Sequence, residues 1–158
     1  MELKQLLARH AGEGRVDWIG IRPARLEPVR VVESAEIGEG GIAGDHYTSG
    51  GKRAVTLIQA EHLPLIAGFA GQAGIDPALL RRNIVVSGIN LAALRHRDIQ
   101  LGAARLRITG PCAPCSRMET AIGFGGYNAM RGHGGFYAEV LASGRISLGD
   151  TVRPLGDD

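Results

Sequence analysis

Glycine sets the grain of this chain. Twenty-four glycines among 158 residues cut it into short β-favouring runs. That punctuation favours tight turns between short elements over a bundle of long helices. A chain of this length holds one domain with a full core, and is too short for two comfortable ones. The hydrophobic fraction of 44% and charged fraction of 22% are those of an ordinary soluble globular protein. The expectation is a single domain over 1–158, led in by a short amphipathic helix within residues 1–12.

Strand patterns fall at residues 16–21, 26–33, 54–58, 83–88, 136–141 and 147–154. Residues 98–108 alternate well and read as two strands around Gly102-Ala103-Ala104, or as one bent strand. Helical spacing recurs over 60–73, with Pro64 near the start, where proline is tolerated. Asp76 followed by Pro77 is an N-cap and N1 pair that starts a short helix. Residues 118–122 read as a helical turn. Two long glycine-rich segments, 38–53 and 125–135, read as loops, the second holding a short helix. Many short strands with helices confined to the connections predict a β-rich α+β fold with a mostly antiparallel, barrel-like β core.

The formal net charge of +2 gives no electrostatic case for nucleic-acid binding. No window reaches the ~18 consecutive apolar residues of a membrane span. The N-terminus interleaves acid and base, with no signal-peptide core. Two cysteines three positions apart do not make a disulfide framework, so a cytoplasmic location is expected.

Both cysteines lie in one stretch, Gly110-Pro111-Cys112-Ala113-Pro114-Cys115-Ser116-Arg117, which a strand-like run leads into and prolines stiffen. Its C-x-x-C spacing fits redox exchange, half of a zinc site or one functional thiol with a neighbour. The five histidines are scattered and give zinc no support. The competing reading is that both cysteines simply pack as small apolar residues. Lys52 and Arg53 close the first glycine-rich loop, Arg81 and Arg82 precede a strand, Arg117 follows Cys115, and Arg131 lies in the second loop. Guanidinium groups beside exposed backbone N–H groups suit a phosphate or another oxyanion, or else are solvated surface charges. Asp45-His46 forms either an acid/base pair or a turn, and Asn83 either caps or binds.

In order and spacing these segments resemble the MOSC domain, the molybdenum cofactor sulfurase C-terminal domain. The residues that carry the resemblance are Gly44-Asp45-His46, Arg53 to Ile58 with Glu61, Arg81-Arg82-Asn83-Ile84-Val85-Val86-Ser87-Gly88, Leu101-Gly102 and the Cys112–Cys115 stretch. They continue through Arg131-Gly132, Phe136 to Leu141 and Gly144 to Asp150. The resemblance implies a barrel-like fold and a molybdenum–pterin cofactor (molybdopterin). It also implies that one cysteine is metal ligand or sulfur carrier. In members that reduce N-hydroxylated compounds, the later cysteine of a close pair ligates molybdenum, a position matched by Cys115. Arg81 and Asn83 match cofactor-holding positions, and Lys52, Arg53, Ser87, Arg117 and Arg131 are the further candidates for binding the cofactor. A thiolate is a soft ligand for such a metal. The chain shows neither the amino-terminal barrel extension nor the ferredoxin-like extension of some members. Electrons or sulfur are therefore expected from a separate donor protein, with a small molecule as substrate. The alternative is a non-catalytic cofactor carrier or an anionic-ligand binding module.

Overall fold

The computed structural model describes residues 1–156. After helix α1 (Leu3–Leu7), the chain forms β1 (Gly14–Ile21), β2 (Arg30–Val32), β3 (Ser34–Gly38) and β4 (Gly41–Ile42). Then come β5 (Val55–Gln59), α2 (His62–Phe69), β6 (Ile84–Ser87), β7 (Asp98–Leu101) and β8 (Ala104–Pro111). Helices α3 (Arg117–Ile122) and α4 (Gly126–Met130) precede β9 (Phe136–Ala142), β10 (Gly144–Ser147) and β11 (Thr151–Pro154).

Seven strands close into a mixed barrel in the order β1-β11-β7-β8-β9-β5-β6 and back to β1. Closure leaves no free edge in the ring. Strand β2 extends β1 outside it, and β10-β3-β4 form a small second sheet. All pairings are antiparallel except β5 with β6, where Leu57 pairs with Ile84 and Gln59 with Val86. A parallel pair needs a long crossover, and here α2 and the 3₁₀ turn Pro77–Leu80 supply it.

Leu57-Ile58 of β5 and Ile84-Val85-Val86 of β6 are consecutive buried apolar residues, because both faces of the sheet are covered there. Leu57, Ile84 and Val86 point into the barrel core with Ile19, Leu106 and Ile108. Ile58 and Val85 point outward and pack with Ile66, Leu80, Met118, Ile122 and Met130 under the helices. This second cluster anchors α3, and α3 in turn fixes the end of the cysteine loop.

Several elements are shorter than their sequence patterns. Helix α2 stops at Phe69 because Gly71, at φ 68°, turns the chain left-handed just beyond it. Only Arg30–Val32 of the 26–33 run pairs, since Pro28 cannot donate to a ladder. Helix α1 buries none of its residues, so packing does not extend it to residue 12. The 38–53 segment is more structured than a loop, holding β4 and a 3₁₀ turn at Gly51–Arg53. No helix among the described residues is long and apolar enough to cross a membrane.

Candidate functional site

A cleft of about 310 Å³ opens on the outer wall of the barrel. Its floor is Thr56 of β5, Gly20 of β1 and Asn83, which immediately precedes β6. Asn83 ties these strands together. Its Oδ1 accepts from the Thr56 backbone N–H at 3.2 Å and from Thr56 Oγ1 at 3.1 Å, and its Nδ2 donates to the Gly20 carbonyl at 3.2 Å. Both polar atoms of the amide are therefore engaged within the protein, which makes Asn83 a strut of the cleft floor.

The cysteine loop forms one wall. Cys112 is buried, Cys115 is exposed, and both line the cleft. The loop is clasped from beneath by Arg82, a buried arginine. Its Nε donates to the Gly134 carbonyl at 2.7 Å and its Nη1 to the Leu80 carbonyl at 3.1 Å. Its Nη2 reaches the carbonyls of Cys112 and Ala113, each at 3.3 Å. The Cys112 N–H donates to the Gly135 carbonyl at 2.8 Å. Approach this close needs glycine, because a Cβ on Gly134 would collide with the Cys112 carbonyl oxygen.

Five arginines line the cleft (Arg22, Arg53, Arg81, Arg82 and Arg117) against one carboxylate, Asp45. The site is strongly cationic although the chain as a whole is nearly neutral. Arg81 caps the 3₁₀ turn in the left-handed conformation, at φ 58°. Strain of this kind in a non-glycine residue gathers at functional sites. Its Nη1 is buried and has no hydrogen-bond partner, an orphaned donor at the wall of an open cleft. Burial, and then the charge of Arg81, lower the Arg22 pKa; Arg117 lowers it further, while Asp45 and Cys115 act to raise it. Arg53 lies over the Tyr137 ring, 5.1 Å from its centroid. A hydrogen bond with Cys112, and then burial, raise the Tyr137 pKa and keep its phenol protonated.

The structure therefore brings together Cys115, Arg53, Arg81, Asn83 and Arg117 from the sequence-predicted set. Three others lie elsewhere. Ser87 is at the far end of β6 and pairs with Arg15, four residues beyond the cleft floor along an extended strand. Arg131 reaches Asn128 at 3.4 Å and lines a separate cavity of about 220 Å³ behind the cysteine loop, with Tyr127 and Pro114. The Lys52 side chain is exposed outside the cleft; its carbonyl accepts from Thr109 Oγ1 at 2.6 Å. In each case sequence adjacency to a glycine or a strand does not fix which way a side chain leaves the backbone.

Arg22, Tyr137 and the Asp45-His46 pair are cleft residues that the sequence does not single out, or leaves open. Asp45 does serve as a turn-former, accepting from the N–H groups of Arg22 at 2.8 Å and Tyr47 at 3.4 Å. Its neighbour His46 still faces the cleft. Glu61 lies away from it and accepts from the Gly88 N–H at 3.0 Å and Gln59 Nε2 at 2.8 Å, which fastens the end of β6.

The family model of the MOSC domain matches residues 44–153. The chain belongs to the MOSC domain family. No curated protein matches it. Among solved structures it is similar to the YuaD protein from Bacillus subtilis, with a TM-score of 0.78 at 18% identity over 89% of this chain and 94% of that one. YiiM from Geobacillus stearothermophilus superposes with a TM-score of 0.75 at 18% identity, over 90% of this chain and 75% of that one. YiiM from Escherichia coli gives 0.70 at 20% identity, over 91% and 71%. At these identities the structural likeness establishes the fold. Within this MOSC chain, Arg22 lies outside the matched segment, on the connection that follows β1.

The family is associated with a molybdenum cofactor, and the residues of the cleft fit such a group. The orphaned Arg81 Nη1 and the surplus of guanidinium groups suit a phosphate. No group of three or more His, Cys, Asp or Glu among the described residues could hold a metal.

Proposed function

We propose that this MOSC protein binds a molybdenum–pterin cofactor in the arginine-lined cleft, with the Cys115 thiolate as the protein's ligand to the metal. The observation that carries this reading is the coincidence, in one cleft, of an exposed thiol and a buried arginine donor with no partner. A soft thiolate and a fixed cation are what a metal-bearing, phosphate-bearing ligand requires at its two ends. Arg81, Arg22 and Arg117 would neutralise the phosphate. Arg82 would hold the loop that aims Cys115, and Cys112 would pack behind it.

When bound, the cofactor supplies a two-electron redox centre. The reaction class we assign to it, on the family resemblance, is reduction of an N-hydroxylated compound. Two electrons and two protons break the N–O bond, leaving N–H and releasing water. The electrons come from a separate donor, a flavoprotein or iron–sulfur protein. Both cysteines are free thiols, in keeping with a reducing, cytoplasmic location.

The test is the metal and pterin content of protein made in a host that synthesises the cofactor. Wild type should carry both, and Cys115→Ser should lose the metal. Full retention of molybdenum and pterin by Cys115→Ser would remove Cys115 as the ligand. Turnover of an amidoxime or hydroxylated base with a chemical electron donor then separates a reductase from a non-catalytic carrier.

A further inference from the structure

The connection after β1 brings one more cation to the cleft, and a histidine holds it there. Arg22 Nη1 donates to the Arg25 carbonyl at 2.9 Å, and Arg22 Nη2 lies 3.2 Å from His46 Nε2. A guanidinium can only donate, so His46 Nε2 is the acceptor and the neutral ring carries its proton on Nδ1. That Nδ1 faces Asp45 Oδ2 at 3.7 Å. The Asp45 carboxylate is itself fixed by the N–H groups of Arg22 and Tyr47. The same cleft is lined by Arg81, whose charge acts on Arg22 and whose Nη1 has no partner.

We propose that Arg22 and Arg81 form an oxyanion subsite for a doubly charged group such as a phosphate monoester or sulfate, and that His46 is its positioning residue. Two guanidinium groups that repel each other in one cleft, one with a buried donor unused, are relieved by an anion bound to both. Protonation of His46 turns Nε2 into a donor, which ends the bond from Arg22. It frees Arg22 Nη2 for the ligand and adds one positive charge to the cleft. Both effects act in one direction: the subsite binds its anion more tightly as pH falls through the range, about 5 to 8, in which histidine titrates. The other charged or titratable groups facing this corner are Tyr47, Arg81, Arg117 and Cys115. The arginines stay charged throughout, and the thiol is removed from the comparison by substitution.

This deepens the cofactor reading, since a pterin's phosphate is one such anion, yet its test does not require the cofactor. Sulfate, which keeps both charges over this range, is titrated calorimetrically into cofactor-free Cys115→Ser protein at about pH 5.5 and about pH 7.5. The expected result is binding about tenfold tighter at the lower pH, equivalent to one favourable charge contact. Adding His46→Gln should leave the affinity near its higher-pH value at both, and adding Arg22→Gln should weaken binding at both. A second readout needs no further substitution. Saturating sulfate should raise the titration midpoint of the His46 ring proton followed by NMR. Sulfate binding to cofactor-loaded wild type separates the sources of the anion: its loss there means that the cofactor's phosphate fills the subsite, and its retention means that a free or substrate phosphate does. Affinity independent of pH, a pH dependence unchanged by His46→Gln, or an unmoved His46 midpoint would overturn the proposal. None of these outcomes bears on whether Cys115 ligates a metal.

Discussion

Arg82 Nη2 lies 3.3 Å from the carbonyl oxygen of Cys112, and the same guanidinium also holds Gly134, Leu80 and Ala113. One buried cation thus joins the end of β8, the second glycine-rich loop and the turn before β6. Removing it leaves several buried carbonyls without donors. Arg82→Met should cost about 3 kcal/mol of folding stability, since each unsatisfied buried group costs about 1–3 kcal/mol. Denaturant unfolding measures this, and a loss below about 0.5 kcal/mol would show that the clasp is dispensable.

Gly134 and Gly110 make a matched pair of substitutions on either side of the same loop. A Cβ at Gly134 meets the Cys112 carbonyl, whereas one at Gly110 meets nothing within 4 Å. Gly134→Ala should displace the cysteine loop and destabilise the protein by about 2 kcal/mol, whereas Gly110→Ala should stay within about 0.5 kcal/mol. Thermal unfolding together with the rate of Cys115 alkylation reports both consequences.

Arg81 combines a left-handed backbone with an orphaned buried donor. Both are unfavourable for folding and useful for binding. Arg81→Gly should keep full stability or gain up to about 1 kcal/mol, while its affinity for sulfate falls. A loss of stability with unchanged anion binding would make Arg81 a structural residue.

His62 meets the His133 ring edge-on, with centroids 5.0 Å apart. Burial, and then the charge of His133, lower the His62 pKa. With its folded-state pKa depressed, the unfolded chain binds protons more readily. The contribution of His62 is therefore present above its unfolded pKa and lost as pH falls through the folded one. Thermal midpoints should drop from about pH 7.5 to about pH 5.5, and His62→Gln should flatten that slope. An unchanged slope in the variant would place the dependence elsewhere.

The barrel was legible where burial imposes a simple pattern. Residues 98–108 alternate and became the hairpin of β7 and β8 around Gly102. Asp76 with Pro77 opened a short helix as expected, with the Asp76 carboxylate accepting from the Ala78 N–H at 3.0 Å. The parallel pairing of β5 with β6 was not legible, because a short run buried on both faces carries no sign of its partner's direction. In the site, loop chemistry singled out Cys112, Cys115 and Arg81 as candidates, all three of which line the cleft, while the preference for Cys115 came from the family resemblance. Arg22 was not, because its partners His46 and Asp45 are more than 20 residues away and meet it only in the fold. Ser87 shares a segment with Asn83, yet the length of β6 carries it away from the cleft.

X-ray absorption at the molybdenum edge of the cofactor-loaded protein tests the central claim most directly. Wild type and Cys112→Ser should show the same number of sulfur ligands to the metal, and any metal retained by Cys115→Ser should show one fewer. An identical sulfur shell in wild type and Cys115→Ser, or a ligand lost with Cys112→Ser instead, would contradict the account.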